Sequence, residues 1–252
     1  MITEFPLFLF TLLGGTAAGT YVFAWAFPVR EDKKHWLMSF VALVLLAISG
    51  IALLTHLGHP ERMFNAFSNP NAGITREAFA TGLFGVLVLA EFIVALKTNK
   101  PAPKGLRAVA AIAGLLLLVA MGAAYVVFHG VPAWANWATV PLFVVGGLSA
   151  GICALPLFDA GLEHNVAHNS VFATIAALLN VLFACTCAAV GMHFMSVGFS
   201  VLPFACAAVI AAAAAVVAYL AKARTSTAYP RVAFLLAFVA VIVARYAFYM
   251  AF

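Results

Sequence analysis

Residues 108–127 read AVAAIAGLLLLVAMGAAYVV, a run without one charged side chain. Its length matches the roughly 20 residues that a helix needs to cross the hydrocarbon core of a bilayer. Inside hydrocarbon every backbone N–H and C=O must be satisfied within its own segment, so the run reads as a helix and not as an open strand. Working outward in both directions, the same pattern recurs. Eight candidate spans result, at about 6–28, 36–58, 76–97, 106–129, 136–158, 169–194, 199–222 and 231–251. Most links between them are short. The exception joins spans 2 and 3, roughly residues 58–75, and the tightest turn is Met195 to Ser200. The expected fold is all-α and integral to the membrane. It is one transmembrane domain over residues 1–252, with eight transmembrane helices in two packed four-helix bundles.

Composition agrees. Apolar residues make up 66% of the sequence and charged residues 8%, where a soluble domain carries about 25% charged residues. No Ser/Gly tract, low-complexity run or linker interrupts the pattern. Met1 to Pro6 carries one acidic residue and no basic one, unlike the basic start of a cleavable signal, so the first apolar run is expected to stay as a span. The net charge of +5 lies in short loops and does not point to nucleic acid. Cys153, Cys185, Cys187 and Cys206 all lie in apolar runs and read as small buried residues, with no disulfide framework and no cluster motif. Small residues recur inside the spans, as in Gly14-Gly15 with Ala17-Ala18 and Gly146-Gly147 with Ala150-Gly151. They predict close helix packing.

Lys and Arg in short loops orient a membrane protein. Loops 1–2, 3–4 and 7–8 hold ten: Arg30, Lys33, Lys34, Lys97, Lys100, Lys104, Arg107, Lys222, Arg224 and Arg231. The other side has Arg62, Arg76 and Arg245. The imbalance puts the odd loops in the cytoplasm and both termini outside, together with the long 2–3 link.

Ionisable groups at membrane depth are costly and count as functional candidates. On the outer side lie His56, His59, Glu61, Arg62, Arg76, Glu77, His129, His193 and Arg245. On the inner side His35, Asp159, Glu163, His164 and His168 read as solvated loop residues. His56 ends span 2, and His59, three residues on, is expected on the same face. Glu77 opens span 3, and Arg245 with Tyr249 closes span 8. An imidazole, a carboxylate and a guanidinium near one another suit proton exchange and hydrogen bonding to a carbonyl or hydroxyl pair. Glu91 shares the helical stripe of Glu77. It reads as a proton-path residue or, preferably, as a side chain that snorkels toward Lys97. Trp134 and Trp137 fit an interfacial aromatic belt.

The segment Thr55-His56-Leu57-Gly58-His59-Pro60-Glu61-Arg62-Met63-Phe64-Asn65-Ala66-Phe67, followed by Ile74-Thr75-Arg76-Glu77-Ala78-Phe79-Ala80-Thr81-Gly82, carries a resemblance. So do the ending Ala244-Arg245-Tyr246-Ala247-Phe248-Tyr249-Met250 and the beginning around Glu4-Phe5-Pro6-Leu7 and Gly14-Gly15. In these patches the protein resembles the DmsC-like membrane anchor subunits of the dimethyl sulfoxide reductase family, part of the wider NrfD-like group. The middle, about 100–230, is too generic to add weight. The resemblance implies a protein of the bacterial cytoplasmic (inner) membrane, held among lipid. Its partners would be a four-cluster iron–sulfur subunit and a molybdopterin catalytic subunit on the periplasmic side. It implies oxidation of menaquinol to menaquinone near the outer face, proton release, and electron transfer to the nearest cluster, with no haem or metal in this subunit. Carried over, His56 is the quinol ligand and proton acceptor and Glu77 a second proton-handling residue. Arg62 and Arg245 complete or position the site, or face the iron–sulfur partner, and Tyr249 stands one turn beyond.

Two other classes are weighed beside this one. A b-type cytochrome could draw axial ligands from His56, His59, His129 and His193, but these sit at span ends rather than at haem depth. A secondary transporter would show an internal repeat or matching broken spans, and neither is visible.

Overall fold

The structure is a computed structural model, and it describes residues 4–29, 34–56, 59, 64–65, 68–159, 165–223 and 226–251, with His56 described in its backbone alone. Among the described residues there are eight helices and no strand. They are α1 (Phe5–Ala26), α2 (Leu37–His56), α3 (Gly73–Thr98), α4 (Lys104–Val126), α5 (Thr139–Ala154), α6 (Ser170–Ser196), α7 (Leu202–Leu220) and α8 (Ala228–Tyr249). Short 3-10 turns extend α5 over Leu155–Phe158 and α7 over Ala221–Ala223. All eight are long and apolar enough to cross a membrane.

Local chemistry sets the ends. Pro6 and Pro203 stand in the first turns of α1 and α7, where a missing N–H costs nothing. Asn169 caps α6, its side chain accepting from the backbone N–H of Val171 and Phe172. The turn between α6 and α7 passes through Gly198 at φ +92, a conformation that glycine adopts without strain. It is what makes so short a link possible. α2 ends at His56 and His59 lies outside it, so the two histidines do not share a helical face.

Helices apolar on every side cannot choose their buried face by hydrophobicity, because lipid is as apolar as a core. Small residues make the choice instead. α1–α4 contact one another in a closed ring, and α5–α8 do the same. The two sets join where α1 packs on α5, with further contacts from α4 to α5 and α1 to α8. α1 and α5 are the most enclosed helices, with 72% of each span buried. Their seam is built on Gly19, Gly147 and Gly151: a Cβ at Gly19 would overlap the Gly147 carbonyl, and one at Gly151 would overlap the Gly19 backbone.

Three expectations need correction. Glu91 does not reach toward Lys97. It is fully buried and holds Arg107 of α4, whose Nη2 and Nε donate to Oε1 at 2.6 and 3.1 Å. Arg107, counted among loop charges, is therefore itself a buried partner. Only Cys153 and Cys187 are buried, while Cys185 and Cys206 are exposed on α6 and α7. Asp159 and His168 are not merely solvated. Asp159 accepts from the Val166 N–H at 2.8 Å, and a ring nitrogen of His168 lies 2.8 Å from the Ala221 carbonyl. Glu163 and His164 lie outside the described residues.

Candidate functional site

The last two turns of α8 carry Arg245, Phe248 and Tyr249, spaced three and four apart so that they share one face. All three are fully buried. The Arg245 guanidinium stands over the Phe143 ring, 4.7 Å from its centroid, and Nη2 donates to the Phe143 carbonyl at 3.2 Å. Nε and Nη1 have no hydrogen-bond partner among the described residues. Gly15 of α1 makes the room, since a Cβ there would lie 3.1 Å from Nη2. A guanidinium buried at membrane depth without a carboxylate is costly, which marks it as functional rather than structural.

One turn on, the Tyr249 hydroxyl lies 2.7 Å from that of Tyr125, on the last turn of α4, and 3.3 Å from the hydroxyl of Thr11 on α1. Trp134, in the link between α4 and α5, locks this corner. Its Nε1 donates to the Phe248 carbonyl at 2.8 Å, and its ring stacks on Phe248 and meets Tyr125 edge-on. Phe143 stacks on the other side of Tyr125 at 5.1 Å. The result is a dense aromatic wall around two hydroxyls and one guanidinium.

Glu77, in the second turn of α3, is buried at 8% exposure. Its Oε1 has no hydrogen-bond partner among the described residues. The Thr81 hydroxyl bonds its backbone carbonyl and not its carboxylate. The carboxyl lies within electrostatic reach of both Tyr125 and Tyr249. α2 ends on His56 at this same end of the molecule, but the His56 side chain and all of Arg62 lie outside the described residues.

The structure therefore brings together Glu77, Arg245 and Tyr249 of the residues expected from sequence. It corrects two roles. Arg245 is 0% exposed and cannot face a partner subunit. Trp134 is buried inside the wall, and only Trp137, 81% exposed, suits an interfacial belt. Sequence reading missed Tyr125, Thr11 and Phe143. Each looks like an ordinary span residue, and the hydroxyl contacts cross 124 and 238 positions of sequence. The sole linear hint was an aromatic placed near a span end.

His129 and His193 lie near the surface at this end, each with a ring nitrogen against a backbone carbonyl, of Val127 and Pro132 respectively. Among the described residues no group of three or more His, Cys, Asp or Glu is placed to hold a metal ion. The largest cavity, about 470 Å³, opens at the opposite end, beside Pro28, Asp159, Asn165 and His168. Its polar lining is engaged internally: Asp159 and His168 as above, and Asn165 through the Ala167 N–H. The unpaired chemistry lies at the other end, with Glu77 and Arg245.

Comparison with known proteins bears on the whole length. The family model described as "DMSO reductase anchor subunit (DmsC)" matches residues 1–250. The protein is similar to the third subunit (C) of the anaerobic dimethyl sulfoxide reductase of Haemophilus influenzae, 30% identical over 71% of this sequence and 68% of that protein. It is also similar to two Escherichia coli proteins. The corresponding C subunit of the anaerobic dimethyl sulfoxide reductase is 29% identical over 61% of this sequence and 58% of its own length. The anaerobic dimethyl sulfoxide reductase subunit YnfH is 28% identical over 79% and 72%. An apolar eight-helix protein that matches this family over almost its entire length is a multi-pass membrane protein and belongs to the DMSO reductase anchor subunit (DmsC) family.

Proposed function

We propose that this protein anchors a respiratory reductase to the bacterial cytoplasmic membrane and oxidises menaquinol for it. The observation that carries this reading is the buried polar cluster at one end of an otherwise apolar bundle. There Glu77 Oε1 and Arg245 Nε and Nη1 are buried without partners among the described residues, inside an aromatic wall. Buried polar groups in a native protein have partners, so groups left open together in hydrocarbon fit a ligand that is itself apolar with two polar oxygens. A quinol has that character. Bound menaquinol supplies two electrons and two protons as its hydroxyls become carbonyls. Arg245 and Tyr249 hold and orient an oxygen, and the wall of Tyr125, Trp134, Phe143 and Phe248 excludes water. His56 and Glu77 take the protons.

The electrons leave to an iron–sulfur subunit of four clusters, and from it to a molybdopterin catalytic subunit. Both would sit on the periplasmic side, against the end that carries the two termini, with Arg62 at or beside the docking surface. Ten Lys and Arg in loops at the other end support this orientation.

The test uses the intact complex. His56→Ala and Glu77→Gln should each lower menaquinol-driven reductase turnover at least tenfold. Turnover driven by a reduced viologen dye, which feeds the iron–sulfur subunit directly, should stay unchanged. Wild-type menaquinol oxidation in either variant removes that residue from the site.

A further inference from the structure

Thr11, Tyr249 and Tyr125 form a line of three hydroxyls that runs from the backbone of α1 into the candidate site. At its far end the Thr11 Oγ1 lies 3.2 Å from the Phe8 carbonyl. Next come the Thr11–Tyr249 contact at 3.3 Å and the Tyr249–Tyr125 contact at 2.7 Å. Thr11 is fully buried and Tyr125 nearly so. Each hydroxyl carries one hydrogen and can accept as well as donate. Three hydrogens must therefore be placed along this line.

Only two consistent directions exist. In the first, Tyr125 donates to Tyr249, Tyr249 to Thr11, and Thr11 to the Phe8 carbonyl. Every hydrogen then has an acceptor within the line, and the Tyr125 oxygen is left open to accept. In the second, Thr11 donates to Tyr249 and Tyr249 to Tyr125, and the Tyr125 hydrogen points out of the line. The described residues offer it no bonded acceptor, so this direction is complete only when something at the site accepts from Tyr125.

These two directions match the two redox forms of one ligand. A hydroquinone oxygen bears a hydrogen and donates to Tyr125, which the first direction receives and passes to Phe8. A quinone carbonyl accepts, which the second direction supplies. We propose that Thr11 is a positioning residue that acts through Tyr249 and Tyr125, letting one reversible line of hydroxyls bind both the reduced and the oxidised quinone, with its own hydroxyl needed for the reduced form alone. The inference rests on the quinol-site reading above and deepens it. It assigns to Thr11 a role in the preference for quinol over quinone that its place in an apolar span does not suggest.

The asymmetry makes the test specific. Without the Thr11 hydroxyl, the second direction still works, since Tyr249 donates to Tyr125 and Tyr125 to the carbonyl. The first fails, because the Tyr249 hydrogen loses its acceptor in a buried place, and a buried donor left unpaired is costly. In the intact complex, with menadiol as donor and menadione as product inhibitor, Thr11→Val should raise the KM for menadiol about tenfold. The inhibition constant for menadione should stay within about twofold. Thr11→Ser, which restores the hydroxyl, should return both to wild-type values. Thr11→Ala serves if the valine variant does not assemble. The inference is overturned if the two constants shift together, if neither shifts, or if the serine variant behaves as valine. A wild-type complex that neither oxidises menadiol nor binds menadione would remove the quinol-site reading itself, and this inference with it.

Discussion

Arg245 shows how far a single residue can be read. Its presence in an apolar span is visible in the sequence and marks a cost. Whether it faces a partner, lipid or the interior is not visible, because helical spacing alone does not say which face of α8 is enclosed. The structure encloses it entirely and gives it one hydrogen bond and one ring face. That is poor compensation for a desolvated charge, whose burial costs several kcal/mol after relaxation. Arg245→Met should therefore leave the melting temperature of the purified complex unchanged or higher, while menaquinol-driven turnover falls at least tenfold. A large drop in melting temperature with turnover intact would make the residue structural. Glu77 was legible for the same reason as Arg245: a carboxylate at a span end is conspicuous. Tyr125 and Thr11 were not, because a tyrosine or a threonine in a membrane helix is ordinary until its distant neighbour is known.

At the scale of the helix, two contacts decide how spans that look alike find their places. The first is the glycine seam of α1 and α5. Gly151 sits where any Cβ would overlap the Gly19 backbone, whereas Gly82 of α3 has nothing within 4 Å of an added Cβ. Gly151→Leu should abolish folding of the protein, read as loss of the detergent-soluble complex, and Gly82→Leu should leave its yield unchanged. Equal yields would mean that the seam does not set the approach of the two helices. The second contact is the Glu91–Arg107 pair between α3 and α4. Removing one partner of a buried pair strands a charge and costs about 3–5 kcal/mol, whereas replacing both by apolar residues of similar volume is close to neutral. Glu91→Met alone should lower the melting temperature sharply, and adding Arg107→Met should restore most of it. If the double variant is as unstable as the single, the two side chains are not coupled. The sequence marked the small residues and Glu91 as notable. It paired Glu91 with the wrong cation because Lys97, six positions on along the same helix, is near in sequence, while Arg107 comes near only once α3 and α4 pack side by side.

For the molecule as a whole, an even number of spans puts both termini at one end of the bundle, and the α1–α8 contacts in the structure agree with this. Which end faces out rests on the loop charges. Trp137, in the link before α5, and Lys100, in the link between α3 and α4, lie exposed at opposite ends. A Trp137→Cys variant should react with a membrane-impermeant maleimide on intact cells, and Lys100→Cys only after the membrane is opened. The reverse pattern would invert the orientation and move the docking surface to the other side. The number of helices, their approximate limits, the class of the protein and three residues of the candidate site followed from the sequence alone. They could, because twenty-residue apolar runs and isolated charges are local signals, set by the cost of exposing backbone or charge to hydrocarbon. The buried face of each helix, the partner of Glu91, the enclosure of Trp134 and Arg245 and the hydroxyl line through Tyr125 were decided only by the tertiary structure. In a protein apolar on every side these depend on where backbones can approach closely, and that is a property of pairs of helices far apart in sequence.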